Sequence, residues 1–228
     1  KAITHYSSRI NKRCIAMPNT ETPITNSAKA EDYRAEITKN SKSDNFEILI
    51  PCYLTENLDL DDFKQGLEKN IFIGAKLYPT NATTNSSLGV SKIENIYPAL
   101  EILEKENKML LIHGEKVRRD IDIFDREKYF IDDELNIIRK KFPLLKITLE
   151  HVSTSYGVNY VKENQNIAIS SLITVLIFLT LFIGNYQNYN NGNVYIFSFF
   201  KYLPQQINLI FVYVILPTLI FSSSSTIK

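Results

Sequence analysis

Apolar and polar positions follow two different periods along the first three-quarters of this chain. Short, nearly continuous apolar runs at 13–17, 47–53, 71–77, 109–113 and 145–151 read as strands covered on both faces. Between them lie helical patterns at 27–39, 60–69, 92–104 and 120–141. In 92–104 the residues Ile93, Ile96, Leu100 and Leu103 share one face, although Pro98 argues against a single unbroken helix. Asn26 and Asp59 stand where helix N-caps belong. Strands alternating with helices predict a parallel sheet with helices outside it. A closed eight-unit barrel takes ~250 residues. The expected fold class is therefore α/β, a partial (β/α)8 TIM barrel of about four to five βα units.

The pattern changes near Asn166. Up to Glu163 charge is frequent; beyond Asn166 only Lys201 and Lys228 are charged. Residues 167–184 form an uncharged apolar run near the length of a membrane span. A polar Asn/Gln/Tyr stretch follows at 185–193, then a second apolar region at 194–221, interrupted by Lys201, Pro204 and Pro217. The sequence thus divides into 1–166, a partial barrel, and 167–228, an apolar tail.

A formal net charge of +1 gives no broad basic surface and no argument for nucleic acid. Cys14 and Cys52 sit in strand-like runs and read as buried free thiols. The first residue, Lys1, makes the start read as truncated, and no signal peptide is visible there.

Candidate chemistry lies at the strand ends. Lys76 closes one apolar run and opens a loop dense in hydroxyl and amide groups, while His113 and His151 close two later runs. Barrel enzymes keep their chemistry at the C-terminal ends of strands. By residue type alone each has a plainer reading. Lys76 would be a salt-bridge residue, His113 and His151 hydrogen-bonded core histidines, Asn19 a turn residue after Pro18, and Thr83 and Thr84 part of a solvated loop.

Several motifs carry a more specific signal. Ala16-Met17-Pro18-Asn19-Thr20, Cys52-Tyr53-Leu54-Thr55, Lys76-Leu77-Tyr78-Pro79 with Asn81-Ala82-Thr83-Thr84-Asn85-Ser86, His113-Gly114-Glu115, Asp120 through Glu127, and Glu150-His151-Val152 occur in order. Together they resemble the dihydroorotases of the short bacterial and fungal type, within the amidohydrolase superfamily, from about Lys1 to about Val161. The resemblance implies a (β/α)8 barrel holding two zinc ions and interconverting dihydroorotate and N-carbamoyl-aspartate in pyrimidine biosynthesis. It implies that Lys76 is carboxylated and bridges the metals, because an ammonium has no lone pair whereas a carbamate offers two oxygens. It further implies that His113 and His151 are metal ligands, that Asn19 binds the substrate carboxylate, and that Thr83 and Thr84 sit on a mobile lid. A cytoplasmic homodimer acting on a small molecule is the corresponding expectation.

Departures from the family pattern are equally specific. There is no His-x-His-x-Arg segment and no aspartate-containing Gly-Thr/Ser-Asp-Ser-Ala-Pro-His segment. The first would supply two ligands and an arginine, the second the general base. At most one metal's ligand set is complete, and the chain alone is expected not to turn over substrate. For the tail two readings stand: a frameshift or faulty gene model, which is favoured, and a genuine membrane hairpin through 167–184 and 194–221. The alternative to an enzyme fragment is a non-catalytic, membrane-associated or structural relic.

Overall fold

The computed structural model describes residues 2–164 and 166–170. The chain divides into a compact unit, Lys1–Thr174, and a second, Val175–Lys228, which lies outside the described residues.

Among the described residues seven short strands, all parallel to their neighbours, are interspersed with helices. β1 (Arg13–Ile15) pairs with β2 (Glu47–Leu49), and β3 (Cys52–Tyr53), β4 (Gly74–Leu77), β5 (Met109–His113), β6 (Lys146–Glu150) and β7 (Ile167–Ser170) form a five-stranded sheet in chain order. The run expected as one strand at 47–53 is split at Ile50-Pro51. Its first half faces β1 and its second half faces β4, and the Ile50 carbonyl already accepts from Ile73 N–H at 3.1 Å. Proline offers no N–H to a ladder, so the break falls where the pairing partner changes. Sequential parallel pairing with helices between is an arc of a (β/α)8 barrel, and the expected fold class holds. β7 carries the sheet four residues into the segment that the sequence assigns to the tail.

The helices follow their caps. α2 (Ser27–Lys39) starts where Asn26 Oδ1 accepts from Lys29 N–H at 2.9 Å, and α3 (Leu60–Glu68) where Asp59 accepts from Asp61 and Asp62 N–H. The pattern at 92–104 resolves into a 3-10 turn, Ile93–Ile96, and α4 (Tyr97–Lys105), which puts Pro98 in a first turn where its missing N–H costs nothing. The pattern at 120–141 becomes helical only from Arg126: α5 (Arg126–Phe130), a π segment (Ile131–Leu135) and α6 (Asn136–Lys141). Residues before it turn instead, with Asp122 Oδ1 accepting from Phe124 N–H at 2.9 Å. Two helices, α1 (Ala2–Ile10) and α7 (Ser155–Glu163), have no counterpart among the expected elements. Both are rich in Ser, Asn or β-branched residues, and α7 contains Gly157, all weak helix formers.

Side-chain alternation sorts the sheet into two faces. Cys52, Leu54, Ala75, Leu77, Leu110, Ile112, Ile147 and Leu149 pack with Phe63, Leu67, Leu100, Leu103 and Ile138 in one core between sheet and helices. Burying each large aliphatic or aromatic side chain there contributes about 1.5–3 kcal/mol. Gly74 is obligatory, since a Cβ would lie 2.1 Å from the Met109 carbonyl oxygen. Cys52 is buried as expected; Cys14 is only half-buried, and both are free thiols. The candidate spans 167–184 and 194–221 lie outside the described residues except for β7. Among the described residues no helix is long and apolar enough to cross a membrane.

Candidate functional site

The face of the sheet opposite the helices carries the polar residues. Tyr53, Lys76, Leu111 and Thr148 are register partners across β3 to β6 and form one layer. The next layer toward the C-terminal ends holds Tyr78, His113 and Glu150, the last two being register partners. Lys76 is 1% exposed. Its Nζ reaches up one layer to pair with Glu150 Oε2 and lies 5.1 Å from the centre of the Tyr78 ring. Burial lowers the Lys76 pKa, and the Glu150 charge opposes that shift. Glu150 has no role among the expected site residues. Its signal is its place immediately before His151 at the end of a strand, which puts it on the same face as His113 and Lys76.

His151 follows Glu150 and would point at the helices if the strand continued. Instead its backbone takes φ 41°, a left-handed conformation rare outside glycine. The ring therefore turns to the site face and packs edge-on against His113, with centroids 4.4 Å apart. Burial first, then the positive charges of His113 and Lys76, depress the His151 pKa to about 4, so the ring is neutral at pH 7. The buried Nε2 of His113 has no hydrogen-bond partner. Glu115 Oε1 lies 3.3 Å from it, outside hydrogen-bond geometry.

The turn at His151 is tied down from behind. Glu127 on α5 is buried, and its carboxylate accepts from Ser153 N–H at 2.9 Å, Thr154 N–H at 3.1 Å and the Thr154 hydroxyl. Thr154 in turn caps α7 through Gly157 N–H. Glycine is required at 157, because a Cβ would lie 2.5 Å from Glu127 Oε1.

The remaining candidates form a second group. Asn19 Oδ1 accepts from Tyr78 OH at 2.9 Å, and Asn19 Nδ2 donates to the Thr84 carbonyl at 3.0 Å. Asn85 Nδ2 donates to the Asn19 carbonyl at 3.0 Å, and Tyr53 OH donates to the Asn85 carbonyl at 3.2 Å. Thr83 N–H donates to Ser86 Oγ at 2.9 Å. Asn19 and the 81–87 loop are thus joined, and the Tyr78 ring links them to the first group, 6.1 Å from the His113 ring.

These residues fit a metal in part. Among the described residues no group of three His, Cys, Asp or Glu side chains is arranged to hold one. Two neutral-capable imidazoles meet, however, and one of them presents an orphaned buried nitrogen, which suits zinc. Lys76 on the layer below is paired with Glu150 and could serve as a third donor only as a carbamate.

No family model matches the chain. An L-hydantoinase from Arthrobacter aurescens shares the fold, with a TM-score of 0.59 at 14% identity, covering 73% of this chain and 41% of its own. Similarity in sequence is more specific. A dihydroorotase from Buchnera aphidicola subsp. Schizaphis graminum is 46% identical over 176 residues, which is 76% of this chain and 50% of that protein. The crystal structure of the Campylobacter jejuni dihydroorotase superposes with a TM-score of 0.69 at 32% identity, covering 77% of this chain and 50% of that one. Over this stretch the chain is similar in sequence and fold to the dihydroorotases, and it spans about half the length of the curated relatives it matches.

Proposed function

We propose that residues 1–166 are one part of a zinc-dependent dihydroorotase site, acting on the cyclic amide of dihydroorotate and its open form, N-carbamoyl-aspartate. The observation that carries this reading is the meeting of His113 and His151 on the layer above Lys76, with the buried His113 Nε2 unpartnered. In this reading His113 and His151 would hold a zinc ion through ring nitrogens, and Lys76, once carboxylated, would add carbamate oxygens as further ligands. Bound zinc supplies Lewis-acid polarisation of the amide carbonyl. Asn19 donates its amide N–H to the substrate carboxylate. Thr83 and Thr84 cover the substrate from the lid and exclude water. Tyr78, buried and with its pKa raised by burial, stays protonated as a donor.

No residue of the chain matches the family's general-base aspartate, and general acid–base assistance is worth ~10² to 10⁴-fold. The 228 residues alone are therefore expected to be inactive. In the same reading the sequence beyond β7, within 167–228, is a separate tail, a frameshift product rather than a membrane hairpin, and the intact protein is a cytoplasmic homodimer. The test is a chimaera in which the absent His-x-His-x-Arg and Asp-Ser-Ala-Pro-His segments are grafted from a close relative. Zinc-dependent hydrolysis of dihydroorotate, lost in His113→Ala and Lys76→Ala, is the expected result. Turnover that survives both substitutions would rule the assignment out.

A further inference from the structure

We propose that Lys116 is the positioning residue for His113, as Glu127 is for His151, and that both tie their loops to one element, the helical stretch running from α5 through the π segment. The inference rests on the reading of the two histidines as a metal-binding pair and adds what sets the distance between them.

The sheet does not set that distance. Its register pairs His113 with Glu150, so the ladder between β5 and β6 ends before His151. His113 is the last residue of β5, and His151 is the first beyond β6. Loops are more mobile than strands, so a ring at a strand end is held only as well as the loop that follows it.

The loop after β5 is fastened by its own residues. Glu115 N–H donates to the His113 carbonyl at 3.1 Å, which turns the chain back, and Lys116 N–H donates to the Arg126 carbonyl at 3.0 Å. The Lys116 ammonium lies 3.0 Å from Asp133 Oδ2 and 3.1 Å from Glu134 Oε1, on a side chain that is 21% exposed. Two carboxylates around one ammonium form a network, which holds better than a lone surface pair. At Gly114 a Cβ would lie 2.7 Å from Leu149 Cδ1, so the chain passes close over β6.

Both sets of fastenings end on the same element. Arg126 and Glu127 are consecutive residues of α5, and Asp133 and Glu134 lie in the π segment that continues it. Glu127 accepts from Ser153 and Thr154 N–H in the loop that follows His151. Phe130, Ile131 and Leu135 bury this stretch in the core and make it a fixed point for both loops. Movement of either loop against it changes the gap between the rings, whereas movement of the whole stretch carries both loops together.

The test reads the ring pair in the full 228-residue chain without metal, by the nuclear Overhauser cross-peak between the ring protons of His113 and His151. Lys116→Met keeps the aliphatic stem and the backbone N–H and removes the charge. Asp133→Asn combined with Glu134→Gln removes the same ion pairs from the other side. Both variants should lose the cross-peak and shift the His113 ring resonances, and Lys116→Arg, which keeps a cation, should restore them. Leu67→Ala in α3 is the control for lost stability, and it should keep the cross-peak. Zinc titration then separates this inference from the metal assignment. Affinity about tenfold lower in Lys116→Met, the lower end for a residue that orients a ligand, is expected where the parent binds zinc. Loss of the cross-peak in Lys116→Met, in a chain whose parent binds no zinc, would uphold the positioning role and contradict the metal assignment alone. A parent without the cross-peak, a cross-peak undiminished in both ion-pair variants, or an equal loss in Leu67→Ala would overturn the inference.

Discussion

His151 meets His113 because its backbone leaves the strand. The two rings lie 4.4 Å apart, yet His151 follows a residue, Glu150, that already occupies the site face. The φ of 41° at His151 resolves the conflict, and Glu127 holds the following residues in place. Glu127→Ala should destabilise the chain by about 3 kcal/mol, the scale of losing charge-assisted hydrogen bonds to buried groups. Glu127→Gln should cost less, because it keeps one acceptor. Denaturant midpoints measure the first effect, and the ring proton resonances of His151 report whether the histidine pair has separated.

The Lys76–Glu150 pair gives a second expectation. Both side chains are buried, so removing one leaves the other charge without its partner. Glu150→Leu and Lys76→Met should each cost about 3 kcal/mol, whereas the double variant should cost less than either alone. A double-mutant cycle by urea unfolding reads this directly. Additive losses would mean that the two side chains are not coupled.

Acid should loosen the chain at Ser91 and Lys92, just beyond the 81–87 loop. Glu56 Oε1 accepts from Ser91 N–H and Oγ, both at 2.7 Å, and from Lys92 N–H at 3.0 Å. The Ser91 hydroxyl is the leading cause of a Glu56 pKa depressed to about 2. A carboxyl depressed in the fold contributes stability above its unfolded pKa and loses it as pH falls. The window here runs from roughly 4.5 down to about 2. Glu56→Gln should remove this part of the acid response, measured by thermal melts across that range. A melting profile unchanged by the substitution would show that Glu56 does not contribute to it.

Much of this arrangement is legible in the amino-acid sequence. The caps Asn26 and Asp59, the buried face Ile93, Ile96, Leu100 and Leu103, and the placing of Lys76 and His113 on strands follow from residue type, periodicity and motif. The breaks are not legible. Nothing in 47–53 announces that its halves serve different partners, because that depends on where β1 ends and β4 begins. Glu150 and Glu127 give no sign of their roles, because a glutamate in a motif reads as a surface charge until the fold buries it. Tyr78 reads only as part of a motif, since its role depends on Asn19, 59 residues away in sequence.

A zinc titration of the purified chain, with bicarbonate present to permit lysine carboxylation, decides whether Lys76, His113 and His151 share a metal. Calorimetry should find zinc bound in the parent chain, with the affinity falling at least tenfold in His113→Ala and in His151→Ala. Lys76→Ala should lose the mass of one CO2 that intact-protein mass spectrometry finds on the parent. Zinc binding unaffected by either histidine substitution would contradict the site.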